Sequence, residues 1–261
     1  MVHHIYYYSA TGNSLSLAKK ISEKIGGAKI MHIAHATKSE IDETKGKRVA
    51  GIVFPVYYCG LPLGLVKFTE TFDFSSYDYI YAVANFGLLP GLALEQLNEC
   101  LLKRGKNLNA GFLIQMPDNY IISYSAYPKL LQSYIFNKAN RKLPHIADAI
   151  MEQKNLPLEK SFVRFDRINS AKLYKKSLDF NQNDVNFTID DTCIGCGVCK
   201  KVCHFENIDI VNNKPEFKHH CEHCLACIQL CPQKAIQYGN KTRKRKHYIN
   251  PDVSLKELMI K

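Results

Sequence analysis

Eight of the ten cysteines in this 261-residue sequence lie between Cys193 and Cys231. They form two runs with the same spacing, C-x-x-C-x-x-C-x-x-x-C. The first run contains Cys193, Cys196, Cys199 and Cys203, and the second contains Cys221, Cys224, Cys227 and Cys231. Outside oxidising compartments, clustered cysteines bind metal more often than they form disulfides. The repeat therefore predicts a metal-binding region.

The spacing also indicates which metal centre is bound. A [4Fe–4S] cluster needs four thiolates, and three from one tight loop combine with the last cysteine of the other run. The predicted ligand sets are Cys193, Cys196, Cys199 and Cys231 for one cluster, and Cys221, Cys224, Cys227 and Cys203 for the other. Zinc is the alternative, because structural zinc sites use paired C-x-x-C hooks. Zinc does not require the third and fourth cysteines of each run.

A second candidate site lies at the other end of the sequence. Ser9-Ala10-Thr11-Gly12-Asn13-Ser14 follows the first predicted strand and opens the first predicted helix. Unpaired N–H groups at a helix start attract anions, and the hydroxyls and the Asn13 amide can add hydrogen bonds. No lysine follows, which excludes the common nucleotide-binding loop. Taken alone, the segment fits a phosphate loop and an ordinary capped helix equally well.

Apolar strands alternate with amphipathic helices around this loop. The predicted strands are Ile5–Tyr8, Ala28–Ile33, Val49–Pro55, Tyr79–Ala84 and Gly111–Met116. The predicted helices begin near Leu15 and end at Ile25, or span Leu63–Phe72, Leu92–Leu102, Lys129–Asn140 and Leu143–Gln153. This alternation predicts a doubly wound, five-stranded parallel sheet of the α/β class. His3 and His4 are expected at the surface, and residues 37–47 are too short and polar for a helix.

Ligands of such sheets bind beyond the carboxyl ends of the strands. The loops after the third and fourth strands supply apolar and aromatic side chains there, which suit a planar ring. Together with the phosphate loop they resemble flavodoxin. The resemblance implies that FMN is bound through its phosphate by Ser9, Thr11, Gly12, Asn13 and Ser14, and around its ring by Pro55, Val56, Tyr57, Tyr58, Asn85, Phe86 and Gly87.

Over nearly its whole length the sequence resembles the fused flavodoxin–dicluster ferredoxin proteins of anaerobic bacteria and archaea. The resemblance rests on segments 55–58, 116–120 and 220–227 and on Asn250-Pro251. It implies a flavodoxin-like domain at 1–154, a linker at 155–187, a small α+β 2[4Fe–4S] ferredoxin domain at 188–240 and a basic tail at 241–261. Cys231-Pro232 keeps the proline that trails the last ferredoxin cysteine, whereas His204 replaces it in the first run. His204 could tune a cluster, or be a half-exposed residue that tolerates the turn.

The family resemblance implies electron transfer between FMN and two [4Fe–4S] clusters, interconverting one- and two-electron steps in anaerobic metabolism. A ferredoxin-type donor or an acceptor reductase would be the partner. The alternative is an enzyme, a cluster-fed flavin reductase acting on a small organic substrate. Asn119, Tyr120, Tyr124 and Tyr127 would then form a lid over that substrate.

The formal charge of the sequence is more positive than the charge expected for the protein with its cofactors bound. Thirty-five basic and 24 acidic residues give a formal charge of +11. Two oxidised clusters and a flavin phosphate, each contributing about −2, would leave about +5. The basic run at 241–246 has no aromatic platform beside it, so we expect no nucleic-acid partner. No apolar run reaches the roughly 18 residues of a membrane helix, and no signal peptide is visible, which predicts a cytoplasmic protein.

Overall fold

A computed structural model describes residues 1–36, 46–161, 169–175 and 184–260. Most of the segment predicted to lack a helix, 37–47, lies outside the described residues. Part of the predicted linker lies outside them too, although residues 169–175 are helical. No helix within the described ranges is long and apolar enough to cross a membrane.

The N-terminal half forms one five-stranded parallel sheet. Its strands are β1 (Val2–Tyr7), β2 (Lys29–His32), β3 (Arg48–Pro55), β4 (Tyr79–Phe86) and β5 (Ala110–Gln115). Their spatial order is β2-β1-β3-β4-β5, and every neighbouring pair is parallel. This is the flavodoxin-like strand order, with a topological switch point between β1 and β3. The predicted doubly wound fold is confirmed.

Helices cover both faces of this sheet. They are α1 (Asn13–Lys24), α2 (Leu63–Thr71), α3 (Ala93–Leu102) and α4 (Lys129–Met151). The α1 and α4 side chains share one core with the sheet, and those of α2 and α3 share the core on the opposite face. The sheet is therefore buried on both faces, which explains its continuously apolar central strands.

One predicted break between helices is wrong. The sequence predicted separate helices on either side of residues 141–142, but α4 runs through them and contains Pro144. An internal proline removes one hydrogen bond and costs about 3 kcal/mol. Buried residues lie on both sides of it, including Ile135, Leu143 and Ile146. Packing of this continuous face against the sheet outweighs the local cost.

The expected surface position of His3 and His4 is also wrong. Both are buried, because β1 lies between β2 and β3 rather than at the sheet edge. The His4 Nδ1 atom forms a 2.6 Å hydrogen bond with the Tyr77 hydroxyl. A polar side chain in a central strand is thus paired with a polar group of a neighbouring loop, as burial requires.

The cysteine region forms a small α+β module. It contains β6 (Phe187–Ile189), α5 (Val198–Lys201), β7 (Ile208–Val211), β8 (Lys214–Phe217), α6 (Ala226–Gln229) and β9 (Ile236–Tyr238). Strands β6 and β9 pair antiparallel, and β7 and β8 form a hairpin. The two helices occupy equivalent places in the two cysteine runs, and so do the starts of β7 and β9. The sequence repeat is therefore also a structural repeat.

The small module packs directly on the sheet module. One shared hydrophobic cluster joins Ile121 and Ile122 to Leu225 and Ile228. A second joins residues of the phosphate loop and α1 to the two short helices and to the C-terminal segment; it contains Ala10, Leu15, Val198, Val202, Ala226, Leu230, Val253 and Leu258. The two modules thus share buried cores.

Candidate cofactor-binding site

A cavity of about 280 Å³ opens at the carboxyl ends of the parallel strands, and we name it the switch-point cavity. Its wall includes the loops that follow β1, β3, β4 and β5. Every residue predicted to contact FMN lines it except Gly12. Its wall comprises Ser9, Ala10, Thr11, Asn13, Ser14, Pro55, Val56, Tyr57, Tyr58, Cys59, Asn85, Phe86, Gly87, Leu88, Leu89, Pro117, Asp118, Asn119, Tyr120, Tyr124, Leu173, His223, Cys224 and Leu225.

Three hydroxyls of the phosphate loop retain a donor hydrogen. Each hydroxyl oxygen already accepts a hydrogen bond from a protein N–H group, so its own O–H is left to donate. The pairs are Gly12 N–H to Ser9, Asn119 Nδ2 to Thr11, and Asn85 Nδ2 to Ser14. The first-turn N–H groups of α1 add further donors, because they have no acceptor within the helix. This donor set suits a phosphate without a lysine or arginine.

The Asn13 side chain also forms hydrogen bonds within the protein. Its Nδ2 donates to the Pro117 carbonyl at 3.1 Å. Its Oδ1 accepts from the Tyr248 hydroxyl at 2.5 Å and from Asn250 Nδ2 at 3.0 Å. These bonds help to position the loop. The Asn13 Nδ2 atom carries a second hydrogen, so its contact with a phosphate stays a prediction.

Residues Tyr248–Ile260, which we name the C-terminal strap, lie behind the phosphate loop. The Asn250 N–H donates to the Thr11 carbonyl at 2.9 Å. Gly12 adopts a φ of 99°, and a Cβ atom there would lie 3.0 Å from the Asn250 Cβ and 3.1 Å from the Val253 Cβ. Glycine at position 12 thus allows both the left-handed turn and the close approach of the strap.

The loop after β3 presents two tyrosines to the cavity. Tyr57 and Gly60 exchange two backbone hydrogen bonds, of 3.1 and 2.9 Å. Tyr58 and Cys59 between them have φ values of 50° and 61°, as in a type I′ turn. The Tyr57 hydroxyl is buried and has no hydrogen-bond partner among the described residues. Burial also raises the Tyr57 pKa well above its usual value, so a ligand acceptor would find a protonated donor there.

The small module completes the opposite wall. His223 Nδ1 lies 2.5 Å from the Tyr58 hydroxyl, and the two rings are stacked with an interplanar angle of 2°. The Tyr58 hydroxyl also donates to the Tyr120 hydroxyl at 3.3 Å. Burial lowers the His223 pKa to about 4, so its ring is neutral near pH 7. Aromatic and neutral polar groups therefore face the cavity from both modules.

The eight repeat cysteines line two further small cavities. The first thiol cavity is lined by Cys193, Cys196, Cys199 and Cys231. The second thiol cavity is lined by Cys203, Cys221, Cys224 and Cys227. The cysteines are thus grouped as the crossed ligand sets expected from the spacing, whereas their ligation of iron stays a prediction. Across the described parts of the chain, no group of three or more His, Cys, Asp or Glu is placed to hold a metal ion.

The second thiol cavity and the switch-point cavity share a wall. Cys224 and Leu225 line both of them. Burial raises the pKa of the Cys224 thiol well above its usual value. A positively charged metal centre would favour the thiolate instead. The arrangement therefore places one predicted cluster ligand in direct contact with the space predicted for the flavin.

His223 and Leu225 are two cavity residues of the small module that sequence reasoning missed. They are the counterparts of Gly195 and Gly197 in the first cysteine run. All four residues have left-handed backbones, with φ values of 67° and 71° for the glycines and 65° and 62° for His223 and Leu225. Side chains thus replace glycines where the loop faces the switch-point cavity. Aligning the two runs would have revealed this asymmetry.

His204 and Glu222 lie at the contact between the modules. The His204 ring stacks on His32, with ring centres 4.9 Å apart and an interplanar angle of 12°. Glu222 accepts hydrogen bonds from the Tyr8 hydroxyl and, at 2.9 Å, from the Gly64 N–H. Burial raises the Glu222 pKa to about 7 and lowers the His204 pKa to about 4. His204 is therefore a part-buried interface residue whose two ring nitrogens are shielded from solvent.

Comparison with solved structures finds similar folds that cover about half of the chain. A flavodoxin from the domain Archaea is 17% identical, with a TM-score of 0.39, and the match covers 57% of this chain and 99% of that one. A short-chain flavodoxin associated with a bacterial microcompartment is 12% identical, with a TM-score of 0.39, and its match covers 58% and 96%. No protein-family model and no curated protein matches the sequence.

Proposed function

We propose that the protein transfers electrons, with FMN bound in the switch-point cavity and a [4Fe–4S] cluster in each thiol cavity. The observation that carries this proposal is the wall shared through Cys224 and Leu225. FMN exchanges one or two electrons, and each cluster exchanges one. Cys224 and Leu225 line both cavities, so an electron would have only a short path between the flavin and this cluster.

The chain's own groups fit such a flavin. The hydroxyls of Ser9, Thr11 and Ser14 keep donor hydrogens for a phosphate. Tyr57 offers a buried hydroxyl, and apolar side chains form much of the remaining wall. Neutral His223 adds no positive charge beside the ring. We also propose the residue assignments, the domain boundaries and the cytoplasmic location expected from the sequence.

Cofactor content tests the proposal directly. Protein purified without oxygen should contain about one FMN, eight iron and eight sulfide per chain, because the structure offers one phosphate loop and two four-thiol sets. Flavin fluorescence after heat release, together with iron and sulfide assays, measures these amounts. Stoichiometric zinc without iron would contradict the cluster assignment, and absence of flavin after incubation with excess FMN would contradict the flavin assignment.

The tyrosines at the outer wall favour a second candidate, the cluster-fed flavin reductase. Tyr120 and Tyr124 line the switch-point cavity, and Tyr127 stacks on Tyr124 with ring centres 6.1 Å apart. Leu88, Leu89 and Leu173 add apolar surface for an uncharged organic molecule.

Turnover with a quinone, an enone and a nitroarene tests this alternative. A reductase should reduce at least one of them with saturation, and Leu89→Asp should raise its KM because a charge would enter the apolar wall. Rates that rise linearly with substrate concentration and are the same in the Leu89 variant would contradict the reductase function and leave electron transfer alone.

A further inference from the structure

The two thiol cavities differ in their access to solvent. Each is lined by one buried cysteine, Cys199 or Cys227, but among the eight only Cys196 of the first cavity is exposed. Ile194, between the first two cysteines of the first cavity, is 65% exposed and lines that cavity. An electron partner therefore approaches the predicted centres most closely at the first thiol cavity.

A basic segment adjoins this exposed edge, which also carries the exposed carboxylate of Asp191, two residues before Cys193. From His223 to Pro251 the sequence contains no Asp or Glu. Within that range lie Lys234, which follows Cys231 closely, and the basic segment Lys241–Lys246. The Lys234 N–H donates to the Cys231 carbonyl at 3.0 Å, so its backbone lies beside the first thiol cavity.

The basic segment is held in place rather than hanging free. Arg243 forms a 2.6 Å ion pair with Asp190, whose carbonyl accepts from the Cys193 N–H. Arg245 donates to the Ile121 carbonyl. Thr242 is fully buried and accepts from the Tyr238 N–H at 2.9 Å. The fixed backbone presents the exposed lysines 241, 244 and 246 without the ordering cost of a mobile tail.

We propose that this edge is the docking surface for an acidic electron-carrier protein, with Ile194 at its centre and Lys241, Lys244 and Lys246 at its rim. An apolar centre with a charged rim is the usual anatomy of a protein interface. Complementary charge raises the rate of encounter and orients the partner. The inference rests on the proposed function, because it requires a redox centre in the first thiol cavity.

Binding to an acidic bacterial dicluster ferredoxin, measured by calorimetry on the cofactor-loaded chain, tests the proposal. The variant Lys241→Gln/Lys244→Gln/Lys246→Gln keeps Arg243 and Arg245, which hold the segment. It should bind about tenfold more weakly at low salt, as expected for the loss of three exposed charge pairs. The difference should shrink to about twofold in 0.5 M salt because of screening.

The matched control removes the same charge elsewhere. The control uses three exposed lysines at the end of the sheet where the strands begin, opposite the cavities. They are Lys24 at the end of α1, Lys103 just after α3 and Lys47 just before β3. Their triple glutamine variant should bind the ferredoxin within about twofold of the native chain. Equal weakening in both variants, or none in either, would overturn the proposal.

Two further measurements separate the possible failures. A 20-nucleotide RNA that binds more tightly than ferredoxin, with affinity lost in the basic-segment variant, would overturn the proposal in favour of nucleic acid. Iron analysis of the same samples tests the proposed function independently. Absence of iron would contradict both the proposed function and the docking surface. Iron-loaded protein that does not bind the ferredoxin would contradict only the docking surface.

Discussion

Leu225 occupies a left-handed backbone conformation that disfavours side chains bearing a Cβ atom. Its φ is 62°, and it is buried at the wall shared by the switch-point and second thiol cavities. Such strain costs about 1–2 kcal/mol for an L-residue and persists where the surroundings favour the side chain. The equivalent Gly197 avoids it. At position 225, the packing of the leucine side chain in the cavity wall therefore outweighs the cost of the strained backbone.

A pair of substitutions separates the effect of the side chain on the cavity wall from the effect of backbone strain at position 225. Leu225→Gly and Leu225→Ala both remove the wall, so both should weaken FMN binding. The glycine variant should nevertheless be the more stable by about 1 kcal/mol, the reverse of the usual order, because alanine retains the left-handed strain. Urea unfolding of both variants measures the difference. An alanine variant as stable as the glycine variant, or more stable, would show that position 225 is not strained.

His32 predicts a pH dependence of stability. Burial, and then the neighbouring His204, lower its pKa from 6.5 to about 2 in the folded chain. Below pH 6.5 the unfolded chain binds a proton that the folded chain does not, so stability falls as pH falls. This contribution lowers the free energy of unfolding by about 1.2 kcal/mol between pH 7 and pH 5.5.

His32→Asn should lose this contribution while an asparagine oxygen can still accept from the Ala34 N–H, as the His32 ring does now. Unfolding by urea at the two pH values measures the loss. The exposed His145→Asn serves as the control and should keep the native pH dependence. Parallel pH profiles for native protein and His32→Asn would contradict the assignment.

At the scale of elements, the C-terminal strap supports the phosphate loop. Beyond its hydrogen bonds to Thr11 and Asn13, Asp252 forms a 2.8 Å ion pair with Lys20 on α1. The Ile260 N–H donates to the Lys201 carbonyl at 2.9 Å, which ties the strap to α5. The strap thus links the helix that begins at the predicted phosphate site with the cysteine module.

Tyr248→Phe tests this support without altering the predicted flavin contacts. Loss of the hydroxyl that binds Asn13 should raise the Kd for FMN about three- to tenfold, the usual effect of one buried hydrogen bond. Fluorescence quenching of added FMN measures the Kd. Tyr134 is 67% exposed on α4, and Tyr134→Phe should leave the Kd unchanged. Equal Kd values in the Tyr248 variant and the native chain would exclude a supporting role.

The crossed grouping of cysteines predicts which thiols become reactive when one is lost. In Cys203→Ser, the thiols of Cys221, Cys224 and Cys227 should become alkylated by iodoacetamide, because their cluster lacks a ligand. In Cys231→Ser, those of Cys193, Cys196 and Cys199 should react instead. Mass spectrometry of the alkylated peptides distinguishes the two patterns. Loss of protection within the run that carries the substitution would show uncrossed ligation.

The elements that could be predicted are those with a local or repeating signal. Strand–helix alternation yielded the sheet, and the cysteine spacing matched the grouping of thiols. The strap could not be predicted, because the partners of Tyr248 and Asn250 lie near Thr11 and Asn13, far away in sequence. The continuity of α4 was missed because the proline signal is local, whereas its buried face depends on the tertiary fold.

For the whole molecule, the shared hydrophobic clusters predict one cooperative unit. Leu230 is buried in the cluster that also contains Ala10 and Leu15, so Leu230→Ala should destabilise both modules by about 2–4 kcal/mol. Flavin fluorescence and cluster absorbance should then change at the same lowered temperature in a thermal scan. Two separated transitions, one for each cofactor, would show that the modules unfold independently.

Binding of FMN should depend on both modules. Every residue predicted from the sequence to contact FMN precedes residue 120 and lies in the sheet module. The switch-point cavity however includes His223, Cys224 and Leu225, and the phosphate loop is held by Tyr248 and Asn250. We therefore expect a chain ending at residue 187 to bind FMN more weakly than the full chain.

The position of the strap also sets an order of events during synthesis on the ribosome. The phosphate loop is translated first, but the Tyr248 and Asn250 side chains that hold Asn13 follow only after the last cysteine, Cys231, has been made. The flavin site is thus completed later than the thiol sets. A nascent chain stalled before residue 248 should therefore bind FMN more weakly than one that already includes the strap.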